Sequence, residues 1–229
     1  MKKLLFLCVL ISIVCFAQYV RVPFTKVSGG STPTVVQPCV GTGGFGSLTC
    51  VFGGNDTTGN AILLTGWTNG PSPGVPTMTG ATFSQVTGSC GGGTTSFQQY
   101  FFYATGITGG QTTVTWSVPG WSIELHGIEV HNLLSGPDGS LSCAAGSTAG
   151  SPISSGTSGA PSGNDIALAG ARQDTTGTTF TVNSPYTQLG NPGDNFVSSY
   201  NTVSSATTAQ YAYTGSNGNP YESGVMLFR

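Results

Sequence analysis

Short runs of β-branched, aromatic and aliphatic residues recur along this chain, each closed by Gly, Pro, Asn or Ser. Runs of that length and composition predict strands. They fall at Thr34–Gln37, Ser47–Phe52, Ala61–Trp67, Ala81–Val86, Phe97–Ala104, Thr112–Val118, Ser122–Val130, Asp165–Ala171, Thr178–Val182, Tyr186–Leu189, Val197–Val203, Ala206–Tyr213 and Gly224–Phe228. In the Phe97–Tyr103 run, Phe97, Gln99, Phe101 and Tyr103 share one face while Gln98, Tyr100 and Phe102 share the other. Rings on both faces predict a strand inside a sheet, covered on both sides.

Two segments break this spacing. Gly136–Gly163 is rich in Gly, Ser, Ala and Pro and predicts a long surface connection near 136–163. Gln18–Thr34 is a lead-in with an expected edge strand at Tyr19–Val22. No fixed-period repeat is present, which argues against a solenoid or propeller. The run Val225–Phe228 stops one residue before Arg229, so the expectation is a last strand inside the sheet with nothing folded after it.

Composition strengthens the β reading. Charged residues are 6 % of the chain and Gly accounts for 36 of 229 residues, so the Ala, Glu, Lys, Leu and Arg mixture of exposed helices is missing. The first residues set the compartment. Lys2 and Lys3 precede an apolar run, Leu4–Phe16, and Cys15-Phe16-Ala17 places small side chains at the −3 and −1 positions, predicting a signal peptide over 1–17. Lipoprotein processing at Cys8 or Cys15 is the weaker alternative, because Leu7 and Val14 stand where that signal needs a small residue. The apolar run is shorter than the roughly 20 residues of a membrane span. The expected product is one all-β sandwich or barrel domain over 18–229, secreted, extracellular or held in the cell envelope.

Charge and cysteines follow from that cleavage. Without Lys2 and Lys3 the balance is 4 Lys+Arg against 8 Asp+Glu, a formal charge of −4. Arg21, Lys26, Arg172 and Arg229 are too few and too scattered to neutralise a phosphate backbone, so no nucleic-acid partner is expected. Four cysteines remain, Cys39, Cys50, Cys90 and Cys143, and in an oxidising compartment they predict two disulfides. Three pairings are possible; proximity favours Cys39 with Cys50 and Cys90 with Cys143. No C-x-x-C pair supports a zinc site.

The order of motifs from Thr58 to Arg229 resembles a recurrent bacterial extracellular domain of unassigned function. The resemblance rests on Thr58-Gly59-Asn60-Ala61-Ile62-Leu63-Leu64 with Trp67, Tyr103-Ala104, Gly109-Gly110-Gln111-Thr112-Thr113-Val114-Thr115, Ile128-Glu129-Val130 before Asp138, Gly163-Asn164-Asp165-Ile166-Ala167-Leu168, and the closing Met226-Leu227-Phe228-Arg229. It implies a jelly-roll-like antiparallel β-sandwich, similar to carbohydrate-binding and adhesive modules. The Cys90 and Cys143 arrangement lies outside that pattern.

Catalytic signatures match only as text. Gly41-Thr42-Gly43-Gly44-Phe45-Gly46 satisfies G-x-G-x-x-G but leads into a predicted strand, where a dinucleotide site needs a helix. Gly70-Pro71-Ser72-Pro73-Gly74 satisfies G-x-S-x-G, but prolines on both sides of the Ser forbid a strand-to-helix elbow. Ionisable groups are densest in Ser122–His131. A regular strand puts Glu124 and His126 on one face and Glu129 and His131 on the other with Leu125; a bulge at Gly127 would gather all four polar groups on one face. Such a row suits metal binding or acid–base chemistry, and its plainer reading is a solvated outer strand face. Asn55-Asp56-Thr57, Pro137-Asp138-Gly139 and Asn164-Asp165 put carboxylates in or beside turns, which suits structural calcium or simply turn chemistry. Asn55–Thr57 is also a glycosylation sequon, read as incidental.

Aromatic residues carry the binding expectation, since their flat faces stack on sugar rings while amides and hydroxyls bond the sugar's own. Most belong to the core. Trp121, beside Pro119-Gly120, and Tyr221, after Asn219-Pro220, are the expected exposed pair, with Trp67 as a third ligand-binding candidate. The leading expectation is a non-catalytic module for extracellular polysaccharide or another cell-surface component. A structural or adhesive envelope or matrix protein is the alternative, with self-association favoured by sheet edges that carry little charge. A polysaccharide-active hydrolase or lyase is the third, and requires the Glu and His residues of Ser122–His131 to meet a second carboxylate in a groove. No cofactor is implied beyond that calcium.

Overall fold

The computed structural model describes residues 31–229 except 71–72, 92–96, 147–151, 174–178, 191–194 and 215–219. The expected signal peptide and the Tyr19–Val22 strand lie outside the described residues. Among the described residues every regular element is a strand: β1 (Thr34–Phe52), β2 (Ala61–Thr68), β3 (Ser84–Gln85), β4 (Cys90–Gly91), β5 (Gln98–Ala104), β6 (Thr113–His131), β7 (Ser142–Gly146), β8 (Ile153–Ser154), β9 (Asp165–Gln173), β10 (Thr179–Val182), β11 (Thr187–Leu189), β12 (Phe196–Val203), β13 (Gln210–Thr214) and β14 (Tyr221–Phe228). Of the all-β sandwich or barrel expected from composition and length, the chain forms the antiparallel sandwich.

A six-stranded sheet is ordered β1-β6-β2-β5-β3, with β4 also on β5; a five-stranded sheet is ordered β11-β12-β9-β14-β7; a three-stranded sheet is ordered β10-β13-β8. The two larger sheets pack face to face over Leu63, Phe101, Ile128, Leu168, Met226 and Phe228. The opposite face of the five-stranded sheet, with Ala167, Ala169, Val197 and Leu227, packs on Phe180, Tyr211 and Tyr213 of the small sheet. The opposite face of the six-stranded sheet is covered by its own longest strands. β1 and β6 form one continuous ladder that folds back, so Val114, Trp116 and Val118 lie on Ile62, Leu64 and Phe102. Central strands β2 and β9 are consequently buried at every position. Each fully buried aliphatic or aromatic side chain stabilises by about 1.5–3 kcal/mol.

The fold-back explains why two sequence runs merged. Thr112–Val118 and Ser122–Val130 belong to one strand through Pro119-Gly120, where the ladder jumps from Phe45↔Ser122 to Gly46↔Val118. Gly41–Gly46 supplies the bend opposite, so the G-x-G-x-x-G text is a corner in a strand. The Cys39–Cys50 disulfide joins two points of β1 across this corner. Gly66 is required beneath the returning layer, because a Cβ there would meet the Glu124 carbonyl at 2.5 Å and the Trp116 ring at 2.9 Å.

The second disulfide, Cys90–Cys143, links β4 of one large sheet to β7 of the other. Both pairings favoured by proximity are present. The Gly136–Gly163 segment, expected as a plain connection, contains β7 and β8; backbone pairing with β14 and β13 makes strands there without an apolar pattern. Ala81–Val86 is reduced to the two-residue β3.

Candidate functional site

The polar row of β6 is divided by a regular strand. Pairing with β2 runs unbroken through Leu64↔Gly127, so no bulge interrupts it there, and Glu124 and His126 face the neighbouring sheet while Glu129 and His131 face the other way. Neither the single-face row nor the solvated-face reading holds, because Glu124, His126 and Glu129 are all buried. Only His131 is exposed.

Each buried group has a structural task. Glu129 accepts hydrogen bonds from Asn60 Nδ2 (2.6 Å), Gln37 Nε2 (2.6 Å) and the Thr57 amide (2.7 Å), which fastens the 53–60 turn to the sheet. Between the large sheets, Glu124 Oε2 accepts from Trp67 Nε1 at 3.0 Å and Glu124 Oε1 lies 3.4 Å from His126 Nε2. His126 Nδ1 is 2.9 Å from Ser198 Oγ. Arg172 places its guanidinium 3.3 Å from the Trp67 ring centre and 3.2 Å from that of Phe97. Glu222 is the cross-strand partner of Arg172. This half of the sandwich interior is thus polar and aromatic, and its residues serve one another.

The three aromatic candidates are separated. Trp67 is interior. Tyr221 is half-buried, with its ring over Gly146. Trp121 is 40 % exposed at the β1–β6 corner, close against Gly70 and near Phe45, which is 73 % exposed. Asn69 Oδ1 accepts from the Ser122 amide at 2.9 Å and fixes that corner.

A concave site lies elsewhere, at the side of the sandwich where edge strands of both large sheets meet. A cleft of about 370 Å³ is lined by Gln85, Val86, Thr87, Gly88, Ser89 and Tyr103 on one side and by Pro137, Gly139, Ser140, Leu141 and Cys143 on the other. Tyr103 is its aromatic wall. Its ring leans on Phe228 at 6.1 Å between centres and is backed by Gly136, where a Cβ would meet the ring at 2.5 Å. Register places Ser84 opposite Tyr103 and Gln85 opposite Phe102. The Cys90–Cys143 bridge ties the two sides. The lining side chains are neutral amides, hydroxyls and apolar groups. Sequence reading put Tyr103 on the correct strand face but could not find this cleft, since its opposite wall comes from the Gly/Ser-rich segment.

Beside the cleft, Asp138 and Asp165 come together. Asp138 Oδ2 accepts from both the amide and the hydroxyl of Ser162 at 2.6 Å, and Arg229 Nη1 donates to the same hydroxyl at 2.7 Å. Partial burial pushes the Asp138 carboxyl up, but Ser162, Asp165 and Arg229 together hold it below the usual carboxylate value. Asp165 is completely buried, and among the described residues its oxygens meet no N–H or hydroxyl donor, only the Asp138 carboxyl with which they share a hydrogen-bonding contact. Burial first, then the facing Asp138, push its carboxyl up to about 7 against the pull of Arg229. The third turn carboxylate, Asp56, is remote from this pair; its Oδ1 accepts from the Gln111 amide at 2.5 Å. Among the described residues, no three His, Cys, Asp or Glu side chains converge as a metal-binding group.

No protein-family model, curated protein or solved structure matches this chain.

Proposed function

We propose that the chain is a secreted, non-catalytic binding module for extracellular carbohydrate, and that its ligand enters the cleft beside Tyr103. The observation that carries this reading is the cleft's make-up: a braced aromatic ring with neutral amide and hydroxyl groups around it, the pairing that sugar rings require. Glu124, His126 and Glu129 are buried in structural contacts away from this cleft, which favours binding over hydrolysis. Export through the signal peptide, the two disulfides and kinship with recurrent bacterial extracellular domains belong to the same proposal. The test is retention of the mature, disulfide-intact protein on a glycan array and on insoluble polysaccharides. Tyr103→Ala is expected to weaken retention roughly tenfold, equivalent to about 1.4 kcal/mol. Retention that falls with Trp121→Ala and ignores Tyr103→Ala would move the site to the corner; retention of nothing overturns the reading.

A specific observation favours a structural or adhesive role as the second reading. β1 is an edge strand of the large sheet, and Val36, Phe45 and Val51 on it are exposed. An apolar edge is a template for pairing between copies. Sedimentation across a concentration series tests it, with Phe45→Lys expected to abolish any association.

A further inference from the structure

We propose that Asp138 and Asp165 bind a divalent cation, with calcium the ion of best fit, and that this cation holds the Pro137–Leu141 wall of the cleft. The argument starts from Asp165. A carboxylate with no exposed surface is costly unless donors or a positive charge offset its lost hydration. Among the described residues neither oxygen of Asp165 meets an N–H or O–H of another side chain or of the backbone, apart from its hydrogen-bonding contact with the Asp138 carboxyl that faces it. Two carboxyl groups turned toward each other need something positive between them, either a shared proton or a cation. Arg229 does not fill that place: its Nη1 donates to the Ser162 hydroxyl, and its charge offsets only part of the push on Asp165.

The chemistry of the pair suits a hard cation. Both ligands are carboxylate oxygens, and among the described residues no His or Cys joins them, which favours calcium over zinc or copper. Ser162 holds Asp138 Oδ2 through two hydrogen bonds, leaving Oδ1 for the ion. Two protein carboxylates form a sparse set, so water would complete the shell and affinity would be at the weak end of calcium sites. The pair also joins distant segments. Asp138 lies between the cleft residues Pro137 and Gly139, and its amide donates to the Leu227 carbonyl at 2.8 Å, while Asp165 opens β9. A cation there would tie the cleft wall to the sandwich core.

The test uses the mature, disulfide-intact chain without carbohydrate, so its outcome is separate from that of the ligand reading. Calcium is titrated by calorimetry, and terbium by sensitised emission, for wild type, Asp165→Asn and Asp138→Asn. One saturable site with Kd of roughly 10⁻⁴–10⁻³ M is expected, the range of extracellular calcium modules. Calcium should displace terbium and raise the wild-type Tm, and each Asn variant should bind at least tenfold more weakly. If a variant does not fold, the wild-type Tm series and calcium–terbium competition still decide the matter. A wild type that shows neither saturable heat nor a Tm rise overturns the proposal and leaves the pair holding a shared proton. Unchanged binding in Asp165→Asn overturns it equally.

Discussion

Trp67 Nε1 donates to Glu124 Oε2 at 3.0 Å across paired strands, deep between the two large sheets. The same carboxylate reaches His126 through its other oxygen. Glu124→Ala would leave the buried Trp67 Nε1 without its acceptor and remove the carboxylate beside His126 Nε2. Leaving a buried polar group unsatisfied costs about 1–3 kcal/mol, so urea unfolding should show a loss of about 1–3 kcal/mol. Trp67 emission should shift in the folded state, and a variant of wild-type stability would refute the structural assignment of this carboxylate.

Glu129 and His131 share a strand face and should differ sharply on truncation. Glu129 accepts three hydrogen bonds, two from the 53–60 turn and one from Gln37 of β1, whereas His131 is exposed with one contact, Nδ1 to Asn60 Oδ1 at 2.9 Å. Glu129→Ala should destabilise by about 3 kcal/mol or more, and His131→Ala by less than about 1 kcal/mol. Equal effects from parallel denaturation curves would contradict the difference in burial.

The disulfides should also rank. Cys39–Cys50 spans 11 residues and Cys90–Cys143 spans 53. Loop-closure entropy assigns about 3 kcal/mol to the shorter and about 4 kcal/mol to the longer. The Cys90→Ser, Cys143→Ser double variant should therefore lose more stability than Cys39→Ser, Cys50→Ser. It should also release the two sides of the cleft, read as faster hydrogen exchange in Ser84–Gly91 and Ser142–Gly146. The reverse order of Tm values would show that the corner in β1 dominates.

With chelator present, stability should fall as pH rises from about 4 to 7. In that window folded Asp165, pushed up to about 7, keeps a proton that an unfolded Asp with an ordinary value near 3.8 has lost. The loss is complete above that window. Asp138 has the opposite sign: its lowered value adds stability above the ordinary carboxylate range, lost in stronger acid. Tm should thus be higher at pH 5 than at pH 8, and Asp165→Asn should remove most of that difference. A flat wild-type profile would refute the pairing of the two carboxyls.

Much of the architecture was legible in the sequence because it depends on local pattern. Alternation and turn residues located the long central strands, and Ala61–Trp67, Phe97–Ala104 and Asp165–Ala171 appear within a residue or two as β2, β5 and β9. Scarce charge and abundant Gly, Ser and Thr excluded helices, and the even cysteine count with its spacing pointed to both disulfides. Alternation along β6 allowed either a regular strand or a bulge at Gly127, and only the unbroken pairing with β2 separates Glu124 and His126 from Glu129 and His131.

What a side chain meets was decided only by tertiary structure. The returning β1–β6 ladder and the neighbouring sheet cover both faces of β6, so carboxylates that read as solvated became buried, and β7 and β8 exist because β14 and β13 offer backbone partners to a segment with no apolar pattern. The cleft beside Tyr103 and the meeting of Asp138 with Asp165 join residues far apart in the chain. Periodicity records which way a residue points from its own strand; it carries no record of which other strand stands opposite, and that juxtaposition sets burial, charge and access.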